Sequence, residues 1–399
     1  MDILRGLLGL GFIIGLGLLL STDRRQICWR QVGWMIILQI VITFVCLRTN
    51  GGIIVLTAIS NFFVWLMAQA AEGTNFVFGG IRLEGFVFFF NALLPIVFIS
   101  ALLGILNYIG LLQMVIRWTG RLLHKVTRMG EMESYFAVST SVLGQPEVYM
   151  TILDQLPSIP PRQLYTLCAS GMSAVSAALL ASYMTMVDGK YVVVAVFLNI
   201  LSSLTISRIV NPYDPVEENA ALQQGCAGLE TKLQARGPFF EMLGTYIFDG
   251  FRLAVTIAAM LIGFIALIAL LNNSFSAVLG VSFTQVTGYI FSPMAWLLGV
   301  PGEEVFTVGG IMATKLITNE FAAMIELGKL DTALTEKSMA MLSTYLISFA
   351  NFGSLGIVSG GIKALNEKQG TLAAAYSMRL LAGATMASMW TAAVVGIFF

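Results

Sequence analysis

The sequence predicts an all-α polytopic membrane protein with eight transmembrane helices and two re-entrant helical hairpins, arranged as an inverted repeat. Three observations carry this. The 399 residues are 57% hydrophobic and only 11% charged, whereas a soluble domain carries about a quarter charged residues. Apolar runs near the roughly 20 residues needed to cross a hydrocarbon core recur along the chain. Two of these runs are interrupted by a carboxylate beside an amide: Gln145 and Glu147 in residues 142–148, Asn319 and Glu320 in residues 316–321. A Glu in hydrocarbon costs roughly 2.5–3.5 kcal/mol on insertion scales, and a buried amide needs partners. Groups kept at that cost face a cavity, and two such clusters point to one site built from two halves.

Composition excludes several classes. Lys plus Arg and Asp plus Glu number 22 each, so no nucleic-acid or other polyanion partner is implied. Cys28, Cys46, Cys168 and Cys226 have no CxxC or other metal spacing. His124, the sole histidine, sits in the basic run Arg121-Leu-Leu-His-Lys125 and reads as a surface residue. Neither a metal site nor a Ser-His pair is assembled from these, and no cofactor is expected.

Residues 3–20 form the first span. Arg5 stands alone at its start and no small-residue cleavage site follows, which argues against a removable signal peptide. Asp23-Arg-Arg25 and Arg30 make the next loop basic, hence cytoplasmic, with the N-terminus outside. Residues 32–47 return outward. Residues 53–71 are broken by small and polar residues and end at Glu72-Gly-Thr-Asn75, so they read as a helix in the interface or dipping part-way. Residues 86–111 make the third span. Arg117, Arg121, Lys125 and Arg128 then fall in one amphipathic segment, expected on the cytoplasmic surface against lipid headgroups.

Residues 134–157 are apolar but interrupted at Gly144-Gln-Pro-Glu147. Pro146 removes a backbone donor and disfavours helix at Gln145. Two half-helices of roughly ten residues meeting at a polar tip fit better than one span. Such a hairpin is tolerated where its broken backbone lines a protein cavity. Residues 164–187 make the fourth span. Its centre, Ser170-Gly-Met-Ser-Ala-Val-Ser176, is either a small-residue packing seam or a break facing substrate. An outer turn at Asp188-Gly-Lys190 leads to the fifth span, 191–210. Residues 211–240, with Pro212, Pro215 and Pro238, read as a cytoplasmic linker. Residues 255–271 are the core of the sixth span and 289–298 an outer interfacial helix. After Pro301-Gly-Glu-Glu304, arms 305–317 and 321–327 form a second hairpin entering from outside. The seventh span, 339–358, carries Ser348-Phe-Ala-Asn-Phe-Gly-Ser354. Lys363, Glu367 and Lys368 lie inside, and the eighth span, 372–398, puts the C-terminus outside.

A hairpin with a carboxylate tip, a span with a small polar centre and a plain span thus occur twice. Ser173 follows Glu147 by 26 residues, and Asn351 follows Glu320 by 31. Loop charge makes the hairpins enter from opposite faces. Inverted repeats with broken helices meeting near the midplane are the design of secondary transporters. The expected division is scaffold at 1–130, transport repeat at 131–210, linker and sixth span with its interfacial helix at 211–300, and a second transport repeat at 301–399.

At these tips the sequence resembles the concentrative nucleoside transporter family, most closely its bacterial nucleoside permease branch. The resemblance rests on Glu72-Gly-Thr-Asn-Phe-Val-Phe-Gly79, Pro95-Ile-Val-Phe-Ile-Ser-Ala101, Gly144-Gln-x-Glu147, Ala259-Met-Leu-Ile-Gly-Phe-Ile-Ala266, Gly299-Val-Pro301, Thr318-Asn-Glu-Phe321 and Phe349-Ala-Asn351. It implies a homotrimer in a bacterial cytoplasmic (inner) membrane, importing nucleosides. By resemblance Gln145 and Glu147 hold the base, Glu320, Asn351 and Ser354 hold the ribose, and Phe349 lines the site. The chemistry agrees: a carboxylate accepts two ribose hydroxyls in short charge-assisted bonds. A missing sugar hydroxyl would leave that buried charge unpaired, a route to specificity.

Departures from the family pattern bear on coupling. Thr140 stands where sodium-coupled members carry an Asn, and Ala174 where they carry a Ser. Ser173 and Ser176 have hydroxyls but are expected on other faces of a helix. Pro146 replaces a usual hydroxyl residue and Gly353 a common Ser. The coupling candidates are therefore Glu147, Glu320, Thr140, Leu143 and Ser173, with protons expected ahead of sodium, because a carboxyl taken out of water accepts a proton more readily. The expected substrates are uridine-like, with purine nucleosides also in range.

Blander readings stand beside these. Glu147 and Glu320 could cap half-helix N-termini, and Asn351 could make a helix–helix hydrogen bond. Lys315 and Arg379 are expected to pair with carboxylates or snorkel. Rival functions are a symporter of a nucleobase or amino acid, a channel, which two occluding hairpins disfavour, and an intramembrane enzyme, for which no nucleophile–base pair is visible.

Overall fold

Proline, glycine and short polar gaps divide the chain into helices. The computed structural model describes residues 2–80, 87–153, 155–213, 238–330 and 332–399, and among them no strand occurs. Phe86 and most of the linker 211–240 lie outside the described residues. The first helices are α1 (Asp2–Leu20), α2 (Trp29–Arg48), α3 (Asn50–Phe78), α4 (Pro95–Tyr108) and α5 (Leu111–Thr127). Pro95 offers no N–H, and the turn before it, Phe89–Leu93, is wound as a π-helix, with the Leu94 N–H on the Phe89 carbonyl at 3.0 Å. The basic segment is α5, ended by Arg128 in the left-handed region at φ 56°.

The segment expected as the first repeat holds α6 (Glu131–Thr140), α7 (Gln145–Met150), α8 (Pro161–Ser173), α9 (Ala177–Met184) and α10 (Gly189–Val210). Then come α11 (Phe239–Leu279) and α12 (Phe283–Leu298). Helix α11 has 41 residues, roughly 60 Å at 1.5 Å per residue, far longer than the 255–271 expected. The second repeat holds α13 (Val305–Ile317), α14 (Glu320–Gly328), α15 (Glu336–Leu346), α16 (Phe352–Leu365), α17 (Glu367–Ala375) and α18 (Ser377–Gly396). The expected fourth and seventh spans are each two helices. The expected eighth is shorter, because α17 folds back on α16. Gly370 permits this, since a Cβ there would sit 2.3 Å from the Lys363 Cα.

Among the described residues, seven helical stretches are long and apolar enough to cross a membrane. Their burial separates two bodies. The most apolar stretch of Pro161–Met184 is 94% buried and that of Gly189–Val210 83%, against 11% for both Asn50–Phe78 and Phe239–Leu279. The stretches Pro161–Met184 and Gly189–Val210 therefore lie in the core, while α3 and α11 present apolar faces outward.

The basic loops gather at one pole. Arg379 donates to the carbonyls of Leu20 (2.7 Å) and Val210 (3.0 Å), and Arg162 to Gln26 (2.5 Å) and Pro212 (3.1 Å). Both chain ends lie at the other pole, where Arg48 donates to the Phe398 carbonyl and Gly6 touches Ile397. Lys190 is there too, 3.4 Å from Asp188 and 4.0 Å from Glu336. Helix α3 stays near this second pole: Ser60 meets Gly189, and Ala71, Thr74 and Asn75 share a pocket with Thr185.

Candidate functional site

In each expected repeat a broken helix lies against the interrupted segment that carries the carboxylate. Helix α8 stops at Ser173, the backbone is extended at Ala174 (φ −91°, ψ 175°) and Ser176 (φ −75°, ψ 148°), and α9 begins at Ala177. The seventh span unwinds between Leu346 and Phe352, with Asn351 extended (φ −148°, ψ 166°). The two unwound segments touch: the Phe349 N–H donates to the Ala174 carbonyl at 3.3 Å. The first hairpin joins them, its Val142 carbonyl accepting the Ala177 N–H at 3.3 Å. The central polar run of the fourth span is thus a break, not a packing seam. Ser176 lies in it rather than on a helix face and lines the cavity.

That cavity has a volume of about 490 Å³, and Gln145, Glu147, Glu320, Phe349, Asn351 and Ser354 all line it. Glu320 opens α14 and is buried. One oxygen accepts the Tyr183 hydroxyl at 2.9 Å, the other the Asn351 amide at 3.2 Å. Asn351 also caps α16, its Oδ1 taking the Ser354 N–H at 2.8 Å. Asn319 caps α14 in the same way, on the Ala322 N–H at 2.9 Å. Gln145 donates to the Gly171 carbonyl at 3.1 Å. Glu147 is exposed to the cavity, and one of its oxygens accepts the Gly144 N–H at 3.0 Å. Capping and cavity lining therefore coincide at Glu147 and Asn351. Four half-helix N-termini, of α7, α9, α14 and α16, end at this cavity, and their partial positive charge suits electronegative oxygens and ring nitrogens.

The remaining candidates are placed differently. Leu143 lines the cavity. Thr140 and Ser173 are buried outside its lining, each hydroxyl donating to its own helix, to Ala137 and Ala169 at 2.8 Å. Among the described residues, neither Lys315 nor Arg379 makes an ion pair with a carboxylate. Lys315 is fully buried on a carbonyl and two hydroxyls, and Arg379 ties helix ends at the basic pole.

Sequence reasoning missed Tyr183, an ordinary aromatic in an apolar run. It also missed the wall that α11 supplies through Tyr246, Asp249, Leu253 and Thr256. Their spacing of three and four residues along one helix face was the available signal.

Comparison with known proteins agrees with this geometry. Residues 191–396 match the family model described as Na+ dependent nucleoside transporter C-terminus, residues 8–81 its N-terminus, and residues 89–190 a model described as nucleoside recognition. The purine nucleoside transport protein NupG of Bacillus subtilis (strain 168) is 33% identical, with 100% of both chains covered. The putative nucleoside permease NupX of Escherichia coli (strain K12) is 30% identical, over 100% of this chain and 99% of that one. The structure of CNTnw in an inward-facing substrate-bound state superposes with a TM-score of 0.91 at 27% identity, over 100% of this chain and 98% of that one. On its motifs, its helical architecture and these matches, the chain belongs to the concentrative nucleoside transporter family of membrane transporters.

Proposed function

We propose that the protein is a secondary active importer of nucleosides, driven by proton symport, with Gln145 and Glu147 on the base and Glu320, Asn351, Ser354 and Phe349 around the ribose. The observation that carries this reading is the convergence of all six side chains on one cavity between two broken helices. The proposed membrane arrangement has eight spans and two hairpins. Helix α3 lies across the outer pole, as its contacts with Gly189 and Thr185 support. The basic pole is cytoplasmic, which leaves both termini outside a bacterial inner membrane. The repeats carry substrate past a scaffold of early helices and α11, and the outward apolar faces of that scaffold meet lipid and, in a homotrimer, neighbouring subunits. The reading is transport without chemistry on the substrate.

Both uridine and purine nucleosides belong in the first assay, since the Bacillus subtilis relative is named for purine nucleosides. Sodium coupling is the second reading. It is favoured by the unwound residues 174–176, whose backbone is not wholly consumed by helical hydrogen bonds and can supply oxygens that Ala174 lacks in its side chain. The test is uptake of radiolabelled uridine and adenosine into proteoliposomes under an inward proton gradient or an inward sodium gradient. Uptake with protons alone supports the proposal. Uptake with sodium alone replaces it with the second reading. Competition by a free nucleobase as strong as by its nucleoside would remove the ribose roles of Glu320 and Asn351.

A further inference from the structure

Behind the second hairpin, the last turns of two half-helices converge and a lysine fills the gap. Lys315 lies in the last turn of α13 and is fully buried. Its ammonium donates to the Tyr345 carbonyl at 2.5 Å, the Ser348 hydroxyl at 2.6 Å and the Ser388 hydroxyl at 3.2 Å. An ammonium has three donors and no acceptor, so each donor is matched. The Tyr345 ring lies beneath it, 4.1 Å from its centroid. Among the described residues no carboxylate comes within 4.0 Å of this charge. Its negative counterpart is the C-terminal end of α15, where unbonded carbonyls carry the partial negative charge of the helix.

The expected first repeat has the same order of elements without the lysine. Thr140 ends α6 and Ser173 ends α8, and neither last turn carries a basic side chain. Ser173 follows the hairpin carboxylate Glu147 by 26 residues, and Tyr345 follows Glu320 by 25. By this order the ends of α6 and α8, which carry Thr140 and Ser173 from the expected coupling set, are the repeat-related counterpart of the helix ends that Lys315 joins.

We propose that Lys315 is a tethered cation. Its ammonium takes, in the second repeat, the place that a dissociable coupling cation takes in the first. It is a positioning residue: through Tyr345 and Ser348 it fixes residues 347–351, and so sets Phe349 and Asn351 in the cavity. The comparison with a coupling cation rests on the sodium-coupled reading given above. The positioning of 347–351 does not.

The test uses the full-length protein in detergent with Lys315→Ala and Lys315→Met. Amide hydrogen exchange in residues 347–351 is measured with and without methylammonium, alongside nucleoside binding. Lys315→Ala should raise exchange there and weaken binding by roughly ten-fold or more, as for loss of bonds to a charged group. Methylammonium, small enough for the vacated space, should restore both, and tetramethylammonium should not. Lys315→Met fills the volume without the charge and should stay impaired, and it answers the question even where the Ala variant does not fold. Wild-type behaviour of Lys315→Met overturns the proposal, as does unchanged exchange in Lys315→Ala or failure of methylammonium to restore that variant once folded. Exchange needs no substrate, so absence of nucleoside binding by the wild type would count against the proposed function alone.

Discussion

The Tyr183 hydroxyl lies 2.9 Å from one oxygen of Glu320, so a first-repeat side chain holds the carboxylate of the second hairpin. Tyr183 is buried and also packs its ring on Phe321, with centroids 4.9 Å apart. Tyr183→Phe keeps that packing and deletes the bond. A hydrogen bond to a charged group contributes about 1.5–3 kcal/mol, so nucleoside affinity should fall roughly ten- to hundred-fold, by calorimetric titration, with little change in the melting temperature. Unchanged affinity would mean that Glu320 is positioned by Asn351 alone or does not meet the substrate.

The pair Glu320–Asn351 makes a sharper prediction. In Glu320→Gln the single amide oxygen cannot serve both donors: turned to the Tyr183 hydroxyl it leaves donor against donor at Asn351, turned to Asn351 it makes the Tyr183 hydroxyl an acceptor, and turning Asn351 over would remove its cap from Ser354. In Asn351→Asp two carboxylates face each other. Each single change should weaken binding about 100-fold or more, given that unpaired buried polar groups cost about 1–3 kcal/mol each and charges more. The double variant Glu320→Gln, Asn351→Asp restores donor facing acceptor and keeps an oxygen for the Ser354 N–H. It should recover part of the loss, a coupling of about 0.5–3 kcal/mol in a double-mutant cycle. Additive losses would show that the two side chains act independently.

Glu147 should behave differently from Glu320. It is exposed to the cavity, and its one hydrogen bond among those described is to the backbone of its own half-helix. Glu147→Gln can still accept the Gly144 N–H. Its effect on fold stability should therefore be small, within about 0.5 kcal/mol, while any effect on uptake reports contact with substrate or the coupled proton. Uptake equal to wild type under a proton gradient would assign proton coupling elsewhere.

What the sequence revealed and what it hid follow from the range of each interaction. The interrupted runs at 144–147 and 318–320 were legible because a carboxylate in hydrocarbon is costly wherever the chain goes. The basic loops were legible because charge partitions to one membrane face. The unwinding at 174–176 was legible only as one of two readings of Ser170–Ser176: Ala, Val and Ser fit a helix, and what holds the segment extended includes a long-range bond from the Phe349 N–H to the Ala174 carbonyl. Tyr183 was hidden for the same reason, an ordinary aromatic in an apolar run, whereas the α11 wall left a local signal in the spacing of Tyr246, Asp249, Leu253 and Thr256. Lys315 was visible as an anomaly, but its partners Tyr345, Ser348 and Ser388 lie 30 to 73 residues away.

The contact between the first helix and α12 gives a test of the scaffold that is independent of substrate. Gly9 lies so close to α12 that a Cβ would stand 2.5 Å from the Leu297 carbonyl oxygen and 3.1 Å from the Leu298 Cα. Those are backbone atoms, so no side-chain rotation relieves the clash and the helices must part. Gly11, two residues on, would place a Cβ with nothing within 4 Å. Gly9→Ala should destabilise by about 1–3 kcal/mol, as overpacking does. Gly11→Ala carries the same gain in helix propensity, about 0.5–1 kcal/mol, with no clash. Thermal unfolding in detergent should therefore move in opposite directions for the two variants, down for Gly9→Ala and level or up for Gly11→Ala. Equal shifts would mean that small residues in this helix serve propensity alone and that its close approach to α12 does not stabilise the scaffold.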